Sequence, residues 1–209
     1  RCRRSILVLV DRLENVGCPV LHEIDGVPLL ASVAGLDELM QPLVDRGWSV
    51  PLSLQKFWRF VGGVVLGDSH PDYGHLDYWS ERLGRALLPY TDPLFIYPAS
   101  AALFEHDIEQ AEDLGVARVT IAPDALHKDN VSGGPAYCVP MDMPEVIEPD
   151  LCNFPGDGSH PGTSSPMEPM GLVAYLRFAV LYAGGFPGLV EASEYDAVRR
   201  ELVSGLEPF

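Results

Sequence analysis

Lysine is nearly missing: Lys56 and Lys128 are the only two, and arginine supplies almost all of the positive charge. Against 14 Lys and Arg stand 30 Asp and Glu, so the formal net charge is −16. A phosphate backbone is held by many cations, so nucleic acid is not an expected partner. An anionic membrane surface is excluded on the same ground. Cysteine is scarce too. Cys2, Cys18, Cys138 and Cys152 stand far apart, with no Cys-x-x-Cys pair. That removes the spacing of structural zinc sites and of thioredoxin-type chemistry. No apolar run is long enough to cross a bilayer. The longest, Gly171 to Gly184, carries Arg177 and falls short of the ~20 residues a membrane helix needs. Arg1 to Val10 has the basic-then-apolar order of a secretory leader, but Asp11 ends the run after Val10, so none is expected.

What remains suits a folded domain. The chain has 209 residues, of which 47% are hydrophobic. That length fits a single domain, and that apolar share supports a core. A soluble, cytoplasmic protein with reduced cysteines is expected, and its acidic surface would speed encounter with a basic partner.

Periodicity sets the elements. Ile6, Leu9, Leu13 and Val16 recur at helical spacing, predicting a helix over Ser5 to Val16, with a short strand at Ile6 to Val10 as the rival. Leu36, Leu39, Met40, Leu43 and Val44 mark a second helix, with Pro42 a possible kink and Gly47 its end. Pro51 opens a third helix, lined by Leu54, Phe57, Trp58 and Val61 and stopped by Gly62-Gly63. Strands are predicted at Val64 to Leu66, His75 to Trp79 and Leu94 to Tyr97. A helix is expected over Glu81 to Leu88, capped by Ser80, and a longer one from Ser100 to Leu114. Val116 to Ala122 and Ala136 to Met141 read as a strand pair around a polar loop. Residues 149–169 are rich in Pro, Gly and Ser and read as a long loop. Gly171 to Ala183 reads as a mostly buried helix, and Glu191 to Val203 as a last amphipathic one. Trp48, Phe57, Trp58, Phe178 and Tyr182 are assigned to core packing. Irregularly spaced strands among helices indicate α+β.

Three pieces carry a likeness. They are Pro51 to Gly63, the segment Ile121 to Asp124 with the following glycine turn and Tyr137, and Tyr175 to Phe178 leading to Gly184-Gly-Phe-Pro-Gly188. Together, from Leu36 to Val190, they resemble the SUKH superfamily, which includes bacterial immunity proteins and fungal cell-wall-synthesis regulators. The resemblance implies a single α+β domain, with a mainly antiparallel sheet packed with helices and residues 1–35 as an N-terminal extension. It implies binding without catalysis and without a cofactor. It also implies a protein partner, with a basic toxin nuclease as the fitting type. Gly62 and Gly63 would serve a turn. The acidic residues Asp68, Asp72, Asp77, Glu145, Glu148 and Asp150 would face the partner and mimic phosphate charge.

Two chemical constellations compete with that reading. Val64 to Ser69 and Asp157 to Pro161 resemble the motif blocks of a GDS-type serine hydrolase. By that resemblance Ser69 is the nucleophile, His160 its base and Asp157 the orienting acid. The family's Gly-before-Asn-Asp block is missing, and the interval to His160 is short for a doubly wound sheet. The second is the dense group Asp68, His70, Asp72, His75 and Asp77, in which His70, Asp72 and His75 could hold zinc or manganese. Pro71 and Gly74 between them favour a solvated turn with divergent side chains, so no metal is expected. Asp124, His127 and Lys128 before Ser132-Gly-Gly134 read as a capped turn. A regulatory adaptor without a toxin partner is the third functional alternative.

Overall fold

The computed structural model describes residues 1–15, 20, 22–24, 26–66, 94–103, 108–109, 113, 115, 117–122, 137–142, 147, 152–153, 171–187, 190, 193 and 196–209. The first helix, α1 (Cys2–Asn15), buries Ser5, Ile6, Leu9, Val10 and Leu13 along one face. Its apolar positions recur three and four apart, which sets one stripe toward the core. The rival strand at Ile6 to Val10 is therefore not formed. Residues of the expected N-terminal extension belong to the same hydrophobic core as the rest, since Ile6, Leu9 and Leu13 cluster with Leu66, Tyr175 and Leu202.

A two-residue hairpin follows, β1 (Glu23–Ile24) antiparallel to β2 (Val27–Pro28). The sequence pattern did not predict it, because each strand is too short to show an alternation. Helix α2 (Leu36–Asp45) buries Leu36, Met40 and Leu43 and carries Asp37 and Glu38 in its first turn. Those carboxylates sit at the positive end of the helix dipole. The helix runs through Pro42. Helix α3 (Leu52–Phe60) starts at Pro51 and turns Leu54, Phe57 and Trp58 inward. The indole N–H of Trp58 donates to the Tyr97 carbonyl at 2.9 Å. An ion pair of 2.7 Å from Arg59 to Asp37 ties α3 to α2.

The double glycine after α3 allows a close crossing of three backbone segments. Gly62 has φ +90, and a Cβ there would lie 2.2 Å from the Ala31 carbonyl oxygen. At Gly63 a Cβ would lie 2.6 Å from the Pro98 nitrogen. Only glycine admits both the dihedral and the approach. The Gly63 carbonyl then accepts the Leu30 N–H at 2.8 Å.

The crossing delivers β3 (Val64–Val65) into the core, antiparallel to β4 (Phe95–Ile96). Tyr97 N–H donates to the Ile121 carbonyl at 2.7 Å, joining β4 to the next strand. That strand is β5 (Arg118–Ala122), which pairs antiparallel with β6 (Tyr137–Pro140) across an irregularity between Thr120 and Ala122. β6 pairs in turn with β7 (Cys152–Asn153). So residues 152–153 of the segment read as a loop over 149–169 form an edge strand, too short to show in composition; the rest of that segment lies outside the described residues. The class is α+β, with small antiparallel sheets.

Between β4 and β5 the single helix expected from Ser100 to Leu114 is interrupted. A four-residue helix, α4 (Ala99–Ala102), ends as Leu103 leaves helical geometry at φ −104, ψ 29. Leu103 is itself buried, and burial of that side chain outweighs local helix propensity. Residues 108–109 and 113 are helical again.

Helix α5 (Leu172–Arg177) continues as a π-helical turn over Phe178–Tyr182. The Ala183 N–H reaches back five residues to the Phe178 carbonyl at 2.9 Å, and Gly185 N–H caps Ala179 at 2.7 Å. The last helix, α6 (Asp196–Val203), buries Leu202. It is clasped to α1 by Arg12, whose Nη1 donates to the Leu202 carbonyl at 2.6 Å. Ser5 Oγ donates to the Glu207 carbonyl at 2.9 Å, which satisfies the one buried polar side chain in α1.

Candidate functional site

The residues singled out by sequence fall outside the described residues: Ser69, Asp157 and His160 of the hydrolase reading; His70, Asp72 and His75 of the metal reading; Asp68, Asp77, Glu145, Glu148 and Asp150 of the acidic surface; and Asp124, His127 and Lys128 of the polar loop. The strand ahead of Ser69, β3, pairs antiparallel with its neighbour β4. Among the described residues no group of three or more His, Cys, Asp or Glu could hold a metal ion.

The described surface carries a different feature, and α3 builds it. Its inward face is used by Leu54, Phe57 and Trp58, which leaves Leu52, Lys56 and Phe60 outward. These stand at i, i+4 and i+8, so they form one strip along the helix. Two of the three are large apolar side chains in water: Leu52 is 44% exposed and Phe60 61%. Between them Lys56 places its ammonium 5.8 Å from the Phe60 ring centroid, within cation–π range.

A distant segment reaches the start of this strip. The first N–H groups of a helix lack intrahelical partners. Pro51, at the cap position, provides no side-chain hydrogen bond. The main-chain carbonyl of Ile147 fills the role, accepting the Ser53 N–H at 2.9 Å. Ile147 is 67% exposed, so a third exposed apolar residue is hydrogen-bonded at this end of the helix. In sequence Ile147 lies between Glu145 and Glu148. The sequence signal for the strip is the presence of apolar residues on the polar side of an amphipathic helix.

A second feature is a small cleft of about 30 Å³, lined by Val10, Val20, His22, Leu29, Leu30, Val64 and Val65. Its wall holds strained backbone: Leu30 has φ 55, the sole positive φ among described non-glycine residues. The left-handed region costs a leucine about 1–2 kcal/mol. Arg3 holds it there, with Nε and Nη2 both donating to the Leu30 carbonyl, at 3.0 and 2.8 Å. Arg3→Ala should lower stability by about 1 kcal/mol in urea unfolding. The same change in a Leu30→Gly background should cost less, because glycine adopts that φ without a clamp.

At the far side of the core, Tyr182 departs from its expected place in the interior. It is 54% exposed, stacks on Phe178 with centroids 5.7 Å apart and lies under the Arg199 guanidinium at 4.8 Å. Tyr182 first, and also Asp196, raise the Arg199 pKa above its ordinary value, against the lowering effect of burial. Burial pushes the Cys2 thiol up to about 12, opposed by the nearby N-terminal charge; such a thiol is a poor nucleophile at neutral pH.

Compared with family models, with curated proteins and with solved structures, the chain matches none. No helix among the described residues is long and apolar enough to cross a membrane.

Proposed function

We propose that the chain is a non-enzymatic protein-binding module of SUKH type, acting as an immunity protein that occludes a basic toxin nuclease. The observation that carries the binding reading is the exposed apolar strip Leu52–Lys56–Phe60 with Ile147 at its end. Exposed contiguous apolar surface rimmed by polar groups is characteristic of protein contacts. The net charge of −16 supports a basic partner. In this reading Phe60 and Ile147 enter pockets on the partner, and the acidic residues on either side of Ile147 in sequence, Glu145, Glu148 and Asp150, steer it in. Asp68, Asp72 and Asp77 add to the same field, and occlusion follows from covering the surface that would grip nucleic acid.

The experiment uses the full chain as bait in an extract of its source cell, followed by affinity and nuclease-inhibition measurements on the retained protein. Phe60→Lys should weaken binding about 10-fold or more, as loss of an aromatic anchor does. It should leave urea stability within about 0.5 kcal/mol, since the ring is exposed. Affinity should fall steeply with salt. Unchanged affinity in Phe60→Lys would overturn the strip as the contact surface. Binding indifferent to salt would overturn charge mimicry, and a retained protein without nuclease activity would identify an adaptor instead.

A further inference from the structure

A pairing distant in sequence brings two of the four cysteines into register. β6 and β7 run antiparallel, with Cys138 the Cα partner of Cys152 and Tyr137 the partner of Asn153. Directly opposed residues in an antiparallel ladder have Cα atoms about 4.5 or 5.5 Å apart, depending on the hydrogen-bonding position. Disulfides are found at Cα separations of about 4.4–6.8 Å, which covers both spacings. No spacing rule in the sequence reveals this; the ladder alone does.

We propose that Cys138 and Cys152 form a reversible cross-strand disulfide that locks β7 onto the sheet. The oxidant is a small disulfide of the glutathione class. One protein thiolate attacks a glutathione sulfur, breaking its S–S bond and releasing one glutathione thiolate. The second protein thiol loses its proton and attacks the protein sulfur of the mixed disulfide, forming the Cys138–Cys152 bond and releasing the second glutathione. Two protein thiols are oxidised, and one glutathione disulfide is reduced to two thiols. Cys138 is fully buried, so the exchange proceeds through local release of β7. That strand lies at the edge of the β5–β6–β7 sheet and is only two residues long, which places it among elements that open at low cost. The bond closes a covalent loop over residues 139–151. The loop so closed includes Ile147, whose carbonyl accepts the Ser53 N–H at the start of α3.

The test equilibrates the full chain with excess oxidised over reduced glutathione, blocks remaining thiols with iodoacetamide and maps peptides by mass spectrometry. The expected product is a peptide pair joined through Cys138 and Cys152, reverting to two alkylated peptides after dithiothreitol. Cys2 should remain a thiol throughout and serves as the internal reference. The oxidised form should unfold in urea at a midpoint higher by about 1 M, the shift expected for closing a short loop. Cys152→Ser should abolish that difference. Because the mapping is done on the wild-type chain, a variant that folds poorly leaves the test intact. Alkyl label on both cysteines after oxidation, linkage to Cys2 or Cys18, or a mixed disulfide that never resolves would overturn the proposal. So would equal midpoints for the oxidised and reduced forms.

Discussion

Gly62→Ala is expected to lower stability by about 4 kcal/mol or more, enough to place most of the chain near its unfolding threshold. Two penalties coincide at this position. A φ of +90 is poorly tolerated by any residue with a Cβ. The Cβ would also sit 2.2 Å from the Ala31 carbonyl oxygen, with the Ala31 nitrogen at 2.9 Å. Backbone atoms cannot swing aside as a side-chain tip can, so the crossing itself must open. Gly47→Ala is the control. It shares a positive φ of +76 but has nothing within 4 Å, so it should cost only about 1 kcal/mol. Thermal unfolding separates them: at roughly 2–4 °C per kcal/mol for a domain of this size, the two melting points should differ by about 6–12 °C. Equal shifts would mean that the dihedral alone, and not the crossing, sets the cost.

The second large effect belongs to Trp58. Its side chain is fully buried and is among the largest so placed. Trp58→Ala should cost about 3–5 kcal/mol through lost contacts and the cavity left behind. It also removes the donor to the Tyr97 carbonyl, at the point where β4 hands over to β5. Trp58→Phe divides the two contributions. It keeps much of the ring volume and deletes the N–H, so about 1–3 kcal/mol should remain. Urea unfolding of both variants measures the partition. A Phe variant as damaging as the Ala variant would show that the hydrogen bond, and not the volume, carries the position.

How far the sequence was legible follows from the range of each interaction. Helices α1, α2 and α3 were read at close to their observed limits, because their apolar stripes repeat within a few residues. The β5–β6 pair was legible for the same reason, as two apolar runs around a turn-rich segment. The hairpin β1–β2 and the strand β7 were not, since two residues cannot display a period. The break after α4 was missed because the burial of Leu103 is decided by tertiary packing, which competes with a favourable helical composition. Tyr182 was assigned to the core on spacing, yet the π-helical turn rotates the later residues of that segment and carries its ring outward beneath Arg199. The apolar strip was half legible: its residues lie in a correctly read helix, but the carbonyl that Ile147 lends to Ser53 joins positions 94 apart in the chain, and only the fold supplies it.

That contact has an evolutionary consequence. The helix start is secured by an oxygen every amino acid possesses, so selection on the fold is blind to which side chain projects from position 147. In the proposed reading, the partner-facing side chain at that position can therefore change while the helix start beneath it stays put.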